Sequence, residues 1–297
     1  MDRVLEYTIE TRYDGANVLT VLKQHFKIST NLIKDLKKYE DGLRLNGEHI
    51  RTVDIVHEGD ALRVTIRDNT SENIIPKNIP LDIVYEDEDI LIINKPPHMP
   101  THPSMGNYEN SLANGVMYYY KSKGEDRVFR AVNRLDKDTS GLMAVAKNSY
   151  AHARLSDELH TAQFKRKYKC IVCGDMTESG TVDAPIRRAD GSVINRIVAP
   201  DGQRAVTHYN VLERYGKYTL LELELETGRT HQIRVHMSHI GHPLVGDWLY
   251  GIEDHSIAPR QFLHSCYLSL IHPVTDEKLV FRNEIAQDMK EFIEKLF

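Results

Sequence analysis

The chain has few cysteines, no long apolar run and no excess of positive charge, and each shortage closes off a class of protein. Three cysteines among 297 residues make no even disulfide framework, so a reducing compartment is expected. No apolar stretch approaches the roughly 20 residues that a bilayer span needs, and the opening Met1-Asp2-Arg3-Val4-Leu5-Glu6 lacks the apolar centre of a secretory signal. The expectation is cytoplasmic residence without a membrane partner. A formal net charge of −5 argues against a protein that wraps nucleic acid through bulk positive charge. What remains is a chain 41% hydrophobic, able to bury a substantial core in one large domain or one large and one small.

The polar stretch from Asn69 to Pro80 holds two prolines and no sustained apolar period, and reads as a linker. It divides the chain into a small domain at 1–70, a linker at 71–80 and a larger domain at 81–297. The small domain shows helical patterns over Asn17 to Phe26 and Thr30 to Lys38, a short strand from Gly42 to Glu48, and a Gly59-Asp60 turn into a last strand. In the larger domain, Leu81 to Tyr85 and Ile90 to Asn94 flank the acidic turn Glu86-Asp87-Glu88-Asp89 as a hairpin. A helix over Ser149 to Gln163 would cover the sheet, and Tyr168 to Cys173 returns to strand. Strands dominate without regular strand–helix alternation, so the fold class is α+β with a mixed, largely antiparallel sheet.

Two runs carry the chemistry. Asn133-Arg134-Leu135-Asp136-Lys137-Asp138-Thr139-Ser140-Gly141-Leu142 puts an acid and basic neighbours on a turn between strand-like Val128 to Val132 and Leu142 to Ala146. Alone it is also an ordinary solvated turn. From Arg127 to Lys169 ten basic residues face four acidic ones, a local +6 compatible with phosphate docking or with a solvated face. The second run, Thr227 to Met237, turns at Thr227-Gly228 and enters a helix with Thr230 as N-cap and Gly241 as stop. Ile233, Met237 and Ile240 form its buried stripe, with Arg234 beside it. A guanidinium reaching inward needs a carboxylate, for which Asp136 is the sensible candidate.

Asn133 to Leu142, the Lys167-Tyr168-Lys169-Cys170 strand and Gly228 to His236 resemble, in order and spacing, the three active-site motifs of the RluA family of RNA pseudouridine synthases. Lys95-Pro96, Thr101-His102-Pro103, Leu263-His264-Ser265 and Ile271-His272-Pro273 extend the likeness over about residues 80–280. The resemblance implies the pseudouridine synthase catalytic fold, with Asp136 as nucleophile, Tyr168 as the active-site aromatic, Arg234 as the partner of the aspartate and Arg134 filling the gap left by a flipped base. Leu135, Thr139, Gly141, Arg229, His231, Gln232 and Ile233 would belong to substrate binding. It further implies a monomer that acts on structured RNA, ribosomal or transfer, with no cofactor and no metal. Residues 1–70 resemble the small αL RNA-binding motif, with lysines where arginines are usual. Two positions depart from the larger family's pattern: Asn133 where histidine is common and His98 where glycine is common.

Other residue patterns point to rival chemistries. Cys170-Ile171-Val172-Cys173 has metal-site spacing, but residues three apart in a strand point to opposite faces and no second pair completes a site. Gln232, His236 and His239 share a helix face without an acidic partner in that helix. A catalytically inactive RNA-binding module, and a glycosidase or metal-dependent hydrolase using Asp138 as its second carboxylate, stand as the alternatives.

Overall fold

The structure, a computed structural model, describes residues 2–68, 74–159, 161–251 and 256–296. Positions 69–73, where the expected linker begins, lie outside the described residues. The first part of the chain forms β1 (Arg3–Thr8), α1 (Val18–Gln24), α2 (Thr30–Leu36), β2 (Leu43–Leu45), β3 (Glu48–His49) and β4 (Ala61–Ile66). Asn17 and Ser29 start the two helices by accepting bonds from Thr20 N and Leu32 N, satisfying amides that a helix leaves open. Asn46 and Gly47, both at positive φ (52° and 89°), turn the chain back, so the single strand expected from Gly42 to Glu48 is a small hairpin. The sheet, in the order β1-β4-β2-β3, packs its inner face on the helices through Leu5, Val21, Leu22, Ile33, Leu43, Leu62 and Val64. This part is joined to the rest by specific bonds: Arg3 grips Asp89 with Nε and Nη2 at 2.7 and 2.9 Å, and the buried Tyr150 hydroxyl donates to Phe26 O.

The remainder is built on β5 (Ile83–Glu86), β6 (Ile90–Lys95), α3 (Leu112–Ser122), β7 (Arg130–Ala131), β8 (Ser140–Ala146), α4 (Ser149–Glu158), β9 (Lys165–Cys173) and β10 (Gly180–Asp183). It continues with β11 (Ile186–Arg188), β12 (Arg196–Val198), β13 (Val206–Arg214), β14 (Tyr218–Leu225), α5 (Gln232–His239), β15 (Leu263–Ile271), β16 (Lys278–Arg282) and α6 (Gln287–Glu294). One large sheet runs β10-β13-β14-β9-β15-β8-β6-β5, with β16 on β15 and β7 on β8. Among the described residues only its β15–β8 pairing is parallel. The α+β class with a mixed, largely antiparallel sheet is what the chain adopts.

Local differences from expectation have local causes. The helix expected to Gln163 ends at Glu158, where the Thr161 amide and hydroxyl both turn back to Glu158 O and compete with further helix. Helix α3 carries Gly115 in its interior, a weak helix former. A Cβ there would meet Leu81 Cδ2 at 3.0 Å and Ile79 Cβ at 3.3 Å. Residues 74–80, read as linker, run against this helix: Lys77 N donates to Asn114 O, and the Asn114 side-chain amide donates to Ile75 O.

Register decides what meets at the centre of the sheet. Tyr168 on β9 lies opposite Leu223 of β14 on one side and Ser265 of β15 on the other, and Ser265 is paired in turn with Gly141 of β8. That row brings the tyrosine to the level at which the Asn133–Thr139 loop enters β8. Gly141 is a glycine for two reasons: its φ is +111°, and a Cβ would lie 2.2 Å from Ser265 O.

Candidate active site

The Asp136 loop is held from behind. Four consecutive carbonyls are bonded: Leu135 O by the Thr101 hydroxyl at 2.9 Å, Asp136 O by Thr139 N at 3.1 Å, Lys137 O by Lys95 Nζ and Met99 N at 3.0 Å each, and Asp138 O by Arg260 Nη1 at 3.0 Å. Lys95 is wholly buried and also donates to Pro96 O and Met99 O. Burial pushes its pKa down, to about 7, against the pull of Asp138 and Asp136. Arg260, equally buried, is clamped by both carboxylate oxygens of Asp288 on α6 at 2.7 and 2.8 Å. A loop fixed this firmly presents the Asp136 carboxylate with little freedom to wander.

Asp136 is half-buried and faces Arg234 Nη1 at 3.2 Å, the partner expected from the two motifs. The guanidinium has a second partner that sequence reasoning missed. Asp247, fully buried, receives Arg234 Nε and Nη2 at 2.7 and 2.8 Å, and its Oδ1 also caps Leu249 N and Tyr250 N. Burial works against the charge of Arg234, yet the bonds to Asp247 and the nearby Asp136 outweigh it and raise its pKa above the ordinary arginine value. One fork fixed on Asp247 leaves the third nitrogen for Asp136, an arrangement lysine cannot reproduce.

His231, not Thr230, stands at the N-cap of α5, in the left-handed region with φ 58° and without a side-chain cap bond. That backbone, unusual for a non-glycine residue, aims its imidazole between Tyr250 and Asp136. Tyr250 OH accepts from Arg196 N at 2.9 Å and contacts His231 Nδ1 at 2.8 Å. With the hydroxyl donating to Nδ1, Nε2 carries the hydrogen and faces Asp136 Oδ2 at 3.8 Å. Burial lowers the His231 pKa, with Asp136 opposing, which favours this neutral form.

Tyr168 is buried, and burial raises the pKa of its hydroxyl, with Arg166 lowering and Asp136 raising it. It shares with Asp136, Arg134, Arg166, Leu225, Gly228, Arg229 and Thr230 a cleft of about 530 Å³, a volume suited to a small-molecule-sized group. Arg134 and Arg229 are exposed at its rim. Leu135 is largely buried in the main core but its edge lines the neighbouring groove with His231 and Trp248.

The other motif residues serve the site from behind. Gln232 is buried, its oxygen taking Arg229 N and the Thr227 hydroxyl and its nitrogen reaching Val206 O and Thr207 Oγ1, so it latches the turn into α5. Ile233 lies in the core, and Thr139 and Gly141 are buried under the loop, away from the cleft. His98 adopts φ 61°, a conformation free to glycine, which accounts physically for the residue usual in the resembling family. Its imidazole donates to Asp138 Oδ1 at 2.8 Å. Asn133 accepts from Ala144 N at 2.9 Å.

The groups considered for metal are otherwise engaged. His236 bonds Thr207 and Ala184 O through its two ring nitrogens, and His239 is exposed. Asp87, Asp89 and His272 bring ligand atoms within 4.8 Å of one another. Yet the carboxylates accept from Tyr85, Ile90, Arg3 and Asn148, and His272 Nδ1 accepts from Val274 N and Thr275 N. The local +6 is also largely spent: Arg127, Arg130, Lys147, Arg154, Lys165 and Lys167 pair with acids, several from distant strands.

Comparison with known proteins agrees with this geometry. Residues 89–239 match the family model of RNA pseudouridylate synthases. The chain is 46% identical over 268 residues to the uncharacterized RNA pseudouridine synthase YjbO of Bacillus subtilis, covering 90% of this chain and 94% of that one. It is 45% identical over 232 residues to the ribosomal large subunit pseudouridine synthase D of Escherichia coli K12, covering 74% and 71%. Among solved structures, the human RNA pseudouridylate synthase domain containing 4 superposes with a TM-score of 0.59 at 24% identity, over 72% of this chain and 92% of that one, which shows the shared fold.

Proposed function

The chain belongs to the RluA family of RNA pseudouridine synthases, and within that family we propose that it isomerises uridines of large-subunit ribosomal RNA, with Asp136 as nucleophile. The observation that carries the residue assignment is the Asp136 carboxylate, held by a loop whose carbonyls from Leu135 to Asp138 are all bonded and set 3.2 Å from Arg234 in the cleft that Tyr168 lines. The printed function of the Escherichia coli relative, a ribosomal large subunit pseudouridine synthase, supports the choice of RNA.

Isomerisation breaks the bond from ribose to the uracil ring nitrogen, turns the ring, and joins ribose to a ring carbon, whose proton is lost as the nitrogen gains one. No water and no electrons enter the balance. The reaction needs a nucleophile, a surface on which the ring can turn, and exclusion of competing water. Asp136 supplies the first. Arg234 offsets the desolvation that closure over the base imposes on that carboxylate. Tyr168 offers an aromatic face to the flipped ring, and with its pKa raised by burial it remains a phenol able to donate a hydrogen bond. Arg134, exposed at the rim, fills the vacancy that the uridine leaves in its stack. Leu135, Arg229 and His231 complete the walls, while Thr139, Gly141, Gln232 and Ile233 act through the backbone they hold.

We read residues 1–70 as an αL-type adaptor docked on a catalytic domain at 81–297, and the protein as a cytoplasmic monomer. No helix among the described residues is long and apolar enough to cross a membrane.

Two measurements test the reading. Asp136→Asn keeps shape and removes the nucleophile: pseudouridine formation is abolished while RNA binding persists, and retained turnover by the purified variant sinks the assignment. Mapping pseudouridine in all stable RNAs of a strain lacking this chain identifies the substrate. A missing modification in large-subunit RNA supports the proposal, one in transfer RNA redirects it, and an unchanged map favours an inactive binding module.

A further inference from the structure

Lys165, Arg166 and Lys167 are consecutive on β9, and a strand sends neighbours to opposite faces. The two lysines reach Glu224 and Glu222 of the adjoining strand, at 3.6 and 2.9 Å. Arg166 points the other way, to the face that carries Tyr168. It is 93% buried, since only 7% of its surface is exposed, and it lines the cleft with Asp136 and Tyr168. None of the ion pairs among the described residues includes it, and its Nε has no hydrogen-bond partner. Its guanidinium lies near the Phe164 ring, 5.7 Å from the centroid. The carboxylates lining the same cleft are committed elsewhere: Asp136 to Arg234, and Glu226 to Arg204 and His208.

A buried guanidinium without a counter-charge is costly, and this one is retained where the substrate enters. The turn opposite has been kept open for it. A Cβ on Gly228 would stand 3.1 Å from Arg166 Nη1, and Gly228 is not at positive φ, so what its hydrogen side chain provides is room rather than backbone freedom. Within a polynucleotide the anions are phosphates, and a planar fork matches two phosphate oxygens as it matches a carboxylate. Tyr168 and Arg166, two residues apart on one strand face, emerge about 7 Å from each other, so one can face a base while the other takes the backbone beside it.

We propose that Arg166, in the space left by Gly228, binds a backbone phosphate flanking the target uridine and so positions the nucleotide over Asp136. The inference rests on the RNA isomerase reading above and adds a phosphate subsite to it.

The test uses full-length protein and the RNA whose uridine goes unmodified in the strain lacking this chain. Arg166→Ala should weaken binding about ten- to a hundredfold and lower the slope of log affinity against log salt by about 0.7 to 0.9, the loss of one phosphate contact. KM rises with the dissociation constant while kcat changes less. Arg166→Lys should restore the salt slope but only part of the affinity, because a point charge replaces a fork. Lys165→Ala, on the opposite face, leaves the slope unchanged. An unaltered slope in both arginine variants overturns the proposal, as does a loss of thermal stability with affinity intact, which would make Arg166 a structural residue. If the alanine variant does not fold, the lysine variant decides: wild-type slope with reduced affinity supports the subsite, and wild-type affinity rejects it. Failure of wild-type protein to form pseudouridine in any RNA would instead count against the parent reading.

Discussion

The loop that carries Asp136 and the cleft wall it faces are built to opposite rules. Behind the loop, Thr101, Lys95 and Arg260, with Thr139 N of the loop itself, leave no carbonyl from Leu135 to Asp138 unbonded. Across the cleft, Arg166 is buried without a counter-charge and Arg229 extends from the rim, while Arg134 reaches that rim from the loop itself. The difference separates two uses of charge. Charges behind the loop are consumed in holding geometry; those that line the cleft are, on the reading proposed above, left for a ligand. Substitutions behind the loop should therefore unfold or disorder the site, whereas substitutions on the wall should leave the fold intact and change what RNA does there.

The largest effect is expected at Asp247, which lies behind Arg234 and is fully buried. Asp247→Asn keeps the volume but removes the charge opposite a buried guanidinium, at a cost of about 3 kcal/mol in unfolding free energy, the lower end for a broken buried pair. Arg234, no longer fixed on two sides, also presents its third nitrogen poorly, so kcat should fall by more than tenfold with RNA affinity near wild type. Denaturant unfolding and single-turnover kinetics check both parts. Wild-type stability together with weakened RNA binding would place Asp247 with the wall and break the comparison.

A comparable effect on stability should appear with pH. His264 on β15 is buried beside the start of β8, where its Nδ1 meets the Ser140 hydroxyl at 2.8 Å. Burial, reinforced by Arg260, pushes its pKa down from 6.5 to about 4. A base with a depressed folded pKa is held neutral in the native state, so its contribution is intact above the unfolded value near 6.5 and is lost as pH falls towards 4. The shift corresponds to about 3 kcal/mol at the acid end. Unfolding midpoints measured from pH 7 to 4 should fall more steeply in wild type than in His264→Gln, and parallel curves would remove His264 from the support of the loop.

The division between the two regions also explains what could be read from the sequence. Asp136, Tyr168 and Arg234 were legible because three motifs in order imply a site, and Arg234 pairs with Asp136 as the need for a buried counter-charge demanded. Asp247 was not, because a lone acid after Gly246 looks like part of a turn until a guanidinium is placed against it. Lys95 and Arg260 were hidden by the ordinary rule that long charged residues lie outside, which fails where a loop's carbonyls must be satisfied from within. The +6 of residues 127–169 overstated the free charge, because strand pairing brings Glu222 and Glu224 beside Lys167 and Lys165 from some 55 positions away. The strand that singles out Arg166 begins at Lys165, ahead of the Tyr168 start expected from the sequence, and its lack of a partner is a property of the assembled sheet. The mixed α+β class was readable from strand patterns, whereas α3 was masked by the glycine that lets it lie against Ile79 and Leu81.

The smallest effect on stability is expected at Arg134, and it separates the two regions most cleanly. Its side chain is exposed at the rim, so Arg134→Ala should change unfolding free energy by less than about 0.5 kcal/mol. Its proposed task is to fill the gap left by a uridine drawn from its stack, and extraction costs a few kcal/mol in a structured RNA but little in a strand already unstacked. Turnover of the folded substrate should therefore fall about tenfold or more, while turnover of a short single-stranded fragment holding the same uridine falls much less. The ratio of the two rates is the decisive quantity, because a general loss of phosphate attraction would lower both together and a structural defect would lower the melting temperature with them. An equal loss on both RNAs would make Arg134 an electrostatic anchor like the role proposed for Arg166, and would leave the loop without a residue that answers for the flipped base.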